Sequence, residues 1–123
     1  MKPDPCLLLV EDDLDISETL KLILESEGYT VVGCLNGKLA LDWLSQTQRP
    51  PFLILLDLMM PVMNGYEFLE KKSELSYPLR DIPVVVLSAM NHSSTPSEQV
   101  QAYLRKPVDI HFLLNTVKRF FSP

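Results

Sequence analysis

A run of five apolar residues, 52–56, leads directly into the carboxylate of Asp57. Prolines stand at positions 50 and 51 before the run and at position 61 after it, so the run cannot extend far in either direction. A short apolar run with such boundaries is typical of a strand that is buried on both faces, as in a parallel sheet covered by helices. Asp57 would then lie at the carboxyl end of that strand, where open parallel sheets bind their ligands.

The rest of the chain alternates between strand-like and helix-like patterns. The predicted strands are residues 6–10, 29–33, 52–57, 84–88 and 102–104. Between them, apolar residues that lie three and four positions apart predict amphipathic helices. This repeated alternation predicts an α/β fold, in which a doubly wound five-stranded parallel sheet carries helices on both faces.

Polar residues at the starts of the helical patterns predict where the helices begin. Asp15, with Glu18 three residues later, resembles a capping box for the first helix. Asn36 and Asp109 are suited to cap the second and the last helix. The third helix is predicted to begin near Gly65. The predicted apolar faces are Leu39, Ala40, Trp43 and Leu44 in the second helix and Tyr66, Phe68 and Leu69 in the third.

Length and charge argue against several classes of protein. A chain of 123 residues suits one compact domain. The net charge of -5 argues against a nucleic-acid-binding surface, which needs a concentrated basic face. The longest apolar run is far shorter than the roughly 20 residues of a membrane span. Residues 1–5 also lack the apolar core of a signal peptide, so we expect a cytoplasmic location.

Polar side chains follow four of the predicted strands at the point where each strand ends. Glu11 and Asp12 follow the first strand, Asp57 and Ser88 end the third and fourth, and Lys106 follows the fifth. The carboxyl ends of parallel strands share one edge of a sheet, so these side chains are predicted to converge there. Three carboxylates at close range repel one another, and a divalent cation relieves that repulsion. Oxygen ligands alone suit a hard cation such as Mg²⁺.

This arrangement predicts phosphoryl chemistry. A carboxylate such as that of Asp57 can attack phosphorus as a nucleophile. Mg²⁺ and Lys106 would neutralise the charge of the phosphoryl group in the transition state. The hydroxyl of Ser88 could donate a hydrogen bond to a phosphoryl oxygen.

Four segments, in this order, resemble the receiver domain of two-component response regulators. They are LLLVEDD at 7–13, LDLMMPVMNG at 56–65, VLSA at 86–89 and YLRKP at 103–107. The resemblance extends from about residue 6 to residue 121. It implies a flavodoxin-like sheet of order 2-1-3-4-5. Because the match covers nearly the whole chain, we expect residues 1–123 to form a single receiver domain without an output domain.

The resemblance implies a role for each site residue. Asp57 would be the phosphoacceptor, and Glu11, Asp12, Asp57 and the backbone carbonyl of Met59 would bind Mg²⁺. Lys106 would pair with the phosphoryl group, and the Lys106–Pro107 peptide bond is expected to be cis. Ser88 and Tyr103 would be the switch residues.

The segment between Ser88 and Lys106 departs from the family pattern because it is shorter than usual. The usual fourth helix is not visible there, so we expect that helix to be short or disordered. We further expect residues 91–99 to be mobile or only briefly helical.

Met59 and Met90 each lie two positions after a site residue. In the family these positions flank the phosphoryl group. Two long apolar side chains there would hinder attack by water, so we expect slow self-dephosphorylation.

The first functional hypothesis is therefore a phosphorylation switch, not an enzyme acting on other molecules. Asp57 would accept a phosphoryl group from the phosphohistidine of a sensor histidine kinase or a histidine phosphotransfer protein, and a downstream protein target would read the change. The alternative is a pseudo-receiver, which is a protein-interaction module that does not depend on phosphorylation. A flavodoxin is disfavoured because Glu11 and its acidic neighbours would repel a flavin phosphate. A phosphatase of the haloacid-dehalogenase type needs an aspartate where Met59 stands.

Overall fold

A computed structural model of the chain describes residues 5–89 and 99–121. The predicted α/β architecture is confirmed. The strands are β1 Cys6–Val10, β2 Thr30–Cys34, β3 Leu53–Asp57, β4 Val84–Ser88 and β5 Val100–Arg105. The helices are α1 Leu14–Ser26, α2 Gly37–Gln46, α3 Gly65–Ser73 and α4 Ile110–Phe121, with a 3₁₀ turn at Leu79–Asp81.

The five strands form one parallel sheet of order β2-β1-β3-β4-β5. This is the order that the resemblance implies. The chain runs outward from β1 to the β2 edge, and later returns past β1 to add β3, β4 and β5 on the other side. The direction of winding therefore reverses between β1 and β3, at the carboxyl edge where Asp57 ends β3.

The central strands are buried on both faces, as their continuous apolar runs predict. All five residues of β1, β3 and β4 are buried. Side chains of these strands alternate between two cores, because successive residues of a strand point to opposite faces. Helices α2 and α3 cover one core, and α1 and α4 cover the other. No helix among residues 5–89 and 99–121 is long and apolar enough to cross a bilayer.

The first helix begins earlier than predicted, so the expected cap at Asp15 is wrong. Helix α1 starts at Leu14, and the Oδ1 atom of Asp13 accepts a hydrogen bond from the backbone N–H of Ile16. Asp13 is held at the turn by its own N–H, which donates to Oε2 of Glu11. Asp15 instead lies in the first turn, where its charge is favourable for the helix dipole.

The caps at Asn36 and Asp109 are confirmed, but two predicted core residues are exposed. The Asn36 side chain accepts from the N–H of Leu39, and the Asp109 side chain accepts from the N–H of Phe112. Leu39 and Tyr66 are nearly half exposed, since each helix turns other residues toward the core. The buried residues of α2 are Gly37, Ala40 and Leu44. Those of α3 are Gly65, Phe68, Leu69 and Lys72. The expected short or disordered fourth helix and the expected mobility of residues 91–99 fall on a segment of which residues 90–98 lie outside the described residues. Gln99, which is described, directly precedes β5.

Candidate functional site

The acidic residues of the candidate site come from two neighbouring strands, β1 and β3. The backbone N–H of Glu11 donates to the carbonyl of Cys34 across 3.0 Å, which continues the β1–β2 ladder one residue beyond β1. Glu11 is consequently buried, while Asp12 is exposed. Asp57 is 5% exposed, and its Oδ1 accepts a hydrogen bond of 3.1 Å from the N–H of Met59. The turn after β3 thus holds the Asp57 carboxylate at the edge of the sheet.

Lys106 brings a positive charge to these acids. Its backbone N–H donates to the carbonyl of Ser88 across 2.8 Å, and the Lys106–Pro107 bond is cis, as expected from the resemblance. Its Nζ lies 2.6 Å from Oε1 of Glu11 and 3.4 Å from Oδ2 of Asp57. One ammonium therefore faces carboxylates from two strands.

Burial and the neighbouring charges shift the protonation equilibria of this cluster. Burial raises the pKa of Glu11 to about 7 and outweighs the hydrogen bond from Lys106, which lowers it; the neighbouring Asp57 carboxylate adds a smaller rise. Burial alone would lower the pKa of Lys106, but its hydrogen bond to Glu11 and the charges of Glu11 and Asp57 outweigh that effect and raise it. The lysine therefore stays protonated, and the site favours added positive charge.

The acidic cluster fits a divalent cation. Glu11, Asp12 and Asp57 each offer a carboxylate oxygen, and these oxygens lie within 4.8 Å of one another. With one nearby ammonium, the three carboxylates carry two uncompensated negative charges when all are ionised. Oxygen-only donors, one exposed side and a matching charge are what Mg²⁺ prefers, because it binds through few carboxylates and keeps several waters. Met59 follows at the rim of the site with an exposed side chain.

The predicted switch residues lie on β4 and β5. Ser88 ends β4, is 3% exposed and pairs with Arg105 in the sheet. Tyr103 pairs with Val86 and is 40% exposed. Burial, and secondarily the negative charge that the neighbouring Tyr66 would carry when ionised, raise the pKa of Tyr103. Ser88 thus lies at the edge that carries Asp57 and Lys106, and Tyr103 lies two positions further back on the neighbouring strand.

The sequence patterns considered above did not identify two residues that support the site, Asn64 and Glu67. The Asn64 side chain accepts from the N–H of Glu67, and the Glu67 side chain accepts from the N–H of Asn64, which forms a capping box at α3. The pattern of Asn followed three residues later by Glu is a signal that could have revealed it. Gly65 lets α3 begin against β3, because a Cβ atom there would lie 2.7 Å from the Cα of Leu58.

The chain resembles known signalling proteins over most of its length. Residues 7–118 match the family described as "Response regulator receiver domain". The transcriptional regulatory protein CrdR of Helicobacter pylori is 35% identical over 121 residues, which cover 94% of this chain. The chain spans only 54% of the length of that regulator.

Solved structures have the same fold. The signal receiver domain of a signal transduction histidine kinase from Syntrophus aciditrophicus is 33% identical, with a TM-score of 0.81 over 95% of this chain and 89% of that one. The response regulator protein TrrA from Thermotoga maritima is 29% identical, with a TM-score of 0.80 over 98% of this chain and 99% of that one. The latter structure is a complex with Mg²⁺ and BeF.

Proposed function

The chain belongs to the response regulator receiver domain family, and from this membership we propose that Asp57 accepts a phosphoryl group from a partner phosphohistidine. The partner would be a sensor histidine kinase or a histidine phosphotransfer protein of a two-component phosphorelay. The observation that carries the proposal is the convergence on Asp57 of two further carboxylates and the ammonium of Lys106. Such a cluster is costly for folding alone, and clusters of this kind are typical of functional sites.

In the transfer step, a carboxylate oxygen of Asp57 attacks the phosphorus atom of the phosphohistidine. An O–P bond forms, the P–N bond breaks, and the imidazole nitrogen leaves with its electron pair and takes up a proton. Asp57 suits this role because its carboxylate is fixed by the Met59 N–H. Fixed geometry lowers the entropic part of the barrier.

Lys106 would pair with a phosphoryl oxygen as charge develops. Its Nζ already lies 3.4 Å from Asp57 Oδ2, so a small movement of its flexible side chain brings it to a group bonded to that carboxylate. Glu11 and Asp12, with Asp57 and the Met59 carbonyl, would hold Mg²⁺. When bound, Mg²⁺ supplies positive charge that neutralises phosphoryl oxygens.

Ser88 and Tyr103 would report the phosphorylation to a downstream protein. The Ser88 hydroxyl would donate a hydrogen bond to a phosphoryl oxygen, which draws the end of β4 toward Asp57. Tyr103 lies on the strand paired with β4, at the position of Val86. A shift of β4 would therefore change the environment of this partly exposed ring, where a target protein could detect it.

Intact-mass measurement tests the proposal. We expect one added phosphoryl group when the protein is incubated with Mg²⁺ and acetyl phosphate, and none in Asp57→Asn. Omitting Mg²⁺ should also abolish the gain. No gain in the wild type, with Mg²⁺ binding demonstrated by calorimetry, would overturn the proposal and favour a pseudo-receiver.

A further inference from the structure

Lys72, in the last turn of α3, is fully buried and far from the acidic site. It is the one lysine among the described residues that belongs to the buried set. Its Nζ donates to the carbonyl of Arg80 across 2.7 Å and to Oε1 of Gln99 across 3.2 Å. Both are uncharged oxygens, so the ammonium is satisfied by hydrogen bonds without a carboxylate at contact distance in the described part of the chain. Burial lowers the pKa of Lys72 to about 8, against an opposing contribution from Asp81.

Gln99 extends this network to three parts of the fold. Its Nε2 donates to the carbonyl of Leu69 across 2.8 Å, which ties it to α3 a second time. Its backbone carbonyl accepts from the N–H of Val84, at the start of β4. Gln99 directly precedes β5. Lys72 and Gln99 together therefore join α3, the 3₁₀ turn, β4 and the entry of β5.

The entry of β5 contains an irregularity that this network adjoins. Val84 pairs with Val100, but the next residue of β4, Val85, pairs with Ala102. Gln101 is thus an additional residue in β5, as in a β-bulge. Beyond it the register is regular, and Tyr103 pairs with Val86 while Arg105 pairs with Ser88.

The bulge determines to which face of the sheet the later residues of β5 point and how far along the strand they lie. Without it, Tyr103 would pair with Leu87 and take the face where Leu104 is now buried. Lys106 would also move about 3.3 Å further along the strand, the rise of one residue. Its Nζ would then leave the neighbourhood of Glu11 and Asp57. The amino end of β5 must therefore be fixed for the residues at its carboxyl end to reach the site.

We propose that Lys72 and Gln99 form a clamp that fixes the register of β5 and, through it, the position of Tyr103 and Lys106. Lys72 is thus a positioning residue that acts at the opposite end of the sheet from Asp57. Burying an ammonium costs free energy, and an apolar side chain would fill the same place in α3 at lower cost. A role in fixing Gln99 accounts for a lysine there. The effect of the clamp on phosphoryl transfer rests on the proposed function, but its effect on β5 does not.

The first test compares Lys72→Met with Lys71→Met by hydrogen exchange of the full chain. Lys71 is the adjacent, exposed lysine of α3, and its contact with Glu74 is 4.0 Å long at the surface. We expect exchange of the β5 amides to rise about tenfold in Lys72→Met, as for the loss of a charge-assisted hydrogen bond. Exchange in β1 and β3 should stay unchanged, and Lys71→Met should match the wild type throughout. A general destabiliser would instead raise exchange in all strands, and that result would overturn the proposal.

Gln99→Ala and the double variant test whether the two residues act together. We expect Gln99→Ala to raise β5 exchange as Lys72→Met does, and the double variant to add little to either, because both changes break one link. Additive effects would contradict a clamp. Gln99→Glu keeps the acceptor for Lys72 but loses the Nε2 donor to the Leu69 carbonyl, so it should raise β5 exchange less than Gln99→Ala does. If Lys72→Met does not fold, the two Gln99 variants decide the question by the same criteria.

Mg²⁺ affinity and the rate of phosphoryl gain test the effect of the clamp on the site and distinguish its failure from that of the proposed function. The metal-site carboxylates lie on β1 and β3, so Mg²⁺ affinity in Lys72→Met should remain close to the wild-type value. The rate of phosphoryl gain from acetyl phosphate should fall, because Lys106 is no longer held in register. An unchanged rate would contradict the positioning role. If the wild type gains no phosphoryl group, the proposed function fails, and the exchange measurements still decide on the clamp.

Discussion

Lys106 and Glu11 are 95 positions apart in the chain, yet the Nζ of Lys106 lies 2.6 Å from Oε1 of Glu11. Two strands, β3 and β4, separate the strands from which these residues extend. The lysine reaches across them because its backbone N–H is held by the carbonyl of Ser88 at the end of β4. This ion pair therefore links both halves of the sheet over Asp57.

Removing the ammonium should destabilise the protein when the carboxylates are charged. We expect Lys106→Met to lose about 2 kcal/mol of unfolding free energy at about pH 8, where Glu11 with its pKa of about 7 is mostly ionised. Urea unfolding with and without Mg²⁺ measures this loss, and Mg²⁺ should restore part of it. Arg105→Met removes the same charge from an exposed neighbour and serves as the control. Equal losses in the two variants would contradict a specific role for the ion pair.

Gly65 should not tolerate a side chain. A Cβ atom there would lie 2.7 Å from the Cα of Leu58 and 2.8 Å from the carbonyl oxygen of Asp57. We expect Gly65→Ala to lose about 3 kcal/mol in urea unfolding, since the backbone beside Asp57 would have to move. At Gly33 the nearest atom would be Ser17 Oγ at 3.5 Å, so Gly33→Ala should change stability by less than about 1 kcal/mol. Similar losses at both positions would refute this account.

Val62 holds a backbone conformation that disfavours its side chain. Its φ is 69°, and the turn around it is closed by a 2.7 Å hydrogen bond from the Met63 N–H to the Pro61 carbonyl. A β-branched residue rarely adopts positive φ, whereas asparagine tolerates it. Because Val62 is 77% exposed, little packing is lost on substitution. Val62→Asn should therefore gain about 1 kcal/mol in thermal or urea unfolding, and Val62→Thr should gain nothing. A loss in Val62→Asn would show that the valine is favourable there.

Stability should rise with pH where Lys72 loses its proton in the folded state. The folded pKa is about 8, and the ordinary value is 10.5. Between these values the unfolded chain holds a proton that the folded chain has released, so raising the pH favours folding. We expect the wild type to gain about 2 kcal/mol relative to Lys72→Met between about pH 7.5 and pH 10.

Comparing the wild type with the variants cancels the stability contributions of other groups that titrate in this pH range. Burial raises the pKa of the Cys34 thiol and of Tyr29, which lowers stability at high pH in every variant alike. Lys71→Met should keep the full pH dependence of the wild type. A constant difference between wild type and Lys72→Met across this range would contradict the burial of a charged Lys72.

The side chain of Met59, two positions after Asp57, should control the lifetime of the phosphorylated state. Met59 is 63% exposed at the rim of the site, and its N–H binds Asp57. We expect Met59→Asn to lose its phosphoryl group severalfold faster than the wild type, because an amide can orient a water that the apolar side chain excludes. Met59→Leu keeps an apolar group and should decay at the wild-type rate. Intact mass follows the loss of the phosphoryl group over time. The same rate of loss in all three proteins would exclude this role. Met90, the second residue of the hypothesis, lies outside the described residues.

The sheet and the edge that carries the acids could be predicted from local patterns. The apolar runs of β1, β3 and β4 are continuous because both faces are buried, and that pattern is visible in the sequence. Once parallel strands are inferred, the residues that follow them must share one edge. The proximity of Glu11, Asp57 and Lys106 follows from this geometry without knowledge of side-chain contacts.

Contacts between distant parts of the chain could not be predicted in this way. Lys72 resembles any charged residue in the last turn of a helix, and its partner Gln99 is 27 positions away. The bulge at Gln101 depends on pairing with β4, which a single strand does not reveal. The cap at Asp13 rather than Asp15 depends on the contact of its N–H with Glu11. For Lys72 and Gln101 a tertiary contact decides between local alternatives, whereas for Asp13 the deciding contact is itself local, with a residue two positions away.

Locating the phosphoryl group tests the central claim most directly. After incubation with acetyl phosphate and Mg²⁺, borohydride reduction converts an aspartyl phosphate into homoserine, which peptide mass mapping assigns to a position. We predict homoserine at position 57 and unmodified aspartate at position 12. An unmodified Asp57, or homoserine only at another acid, would contradict Asp57 as the phosphoacceptor.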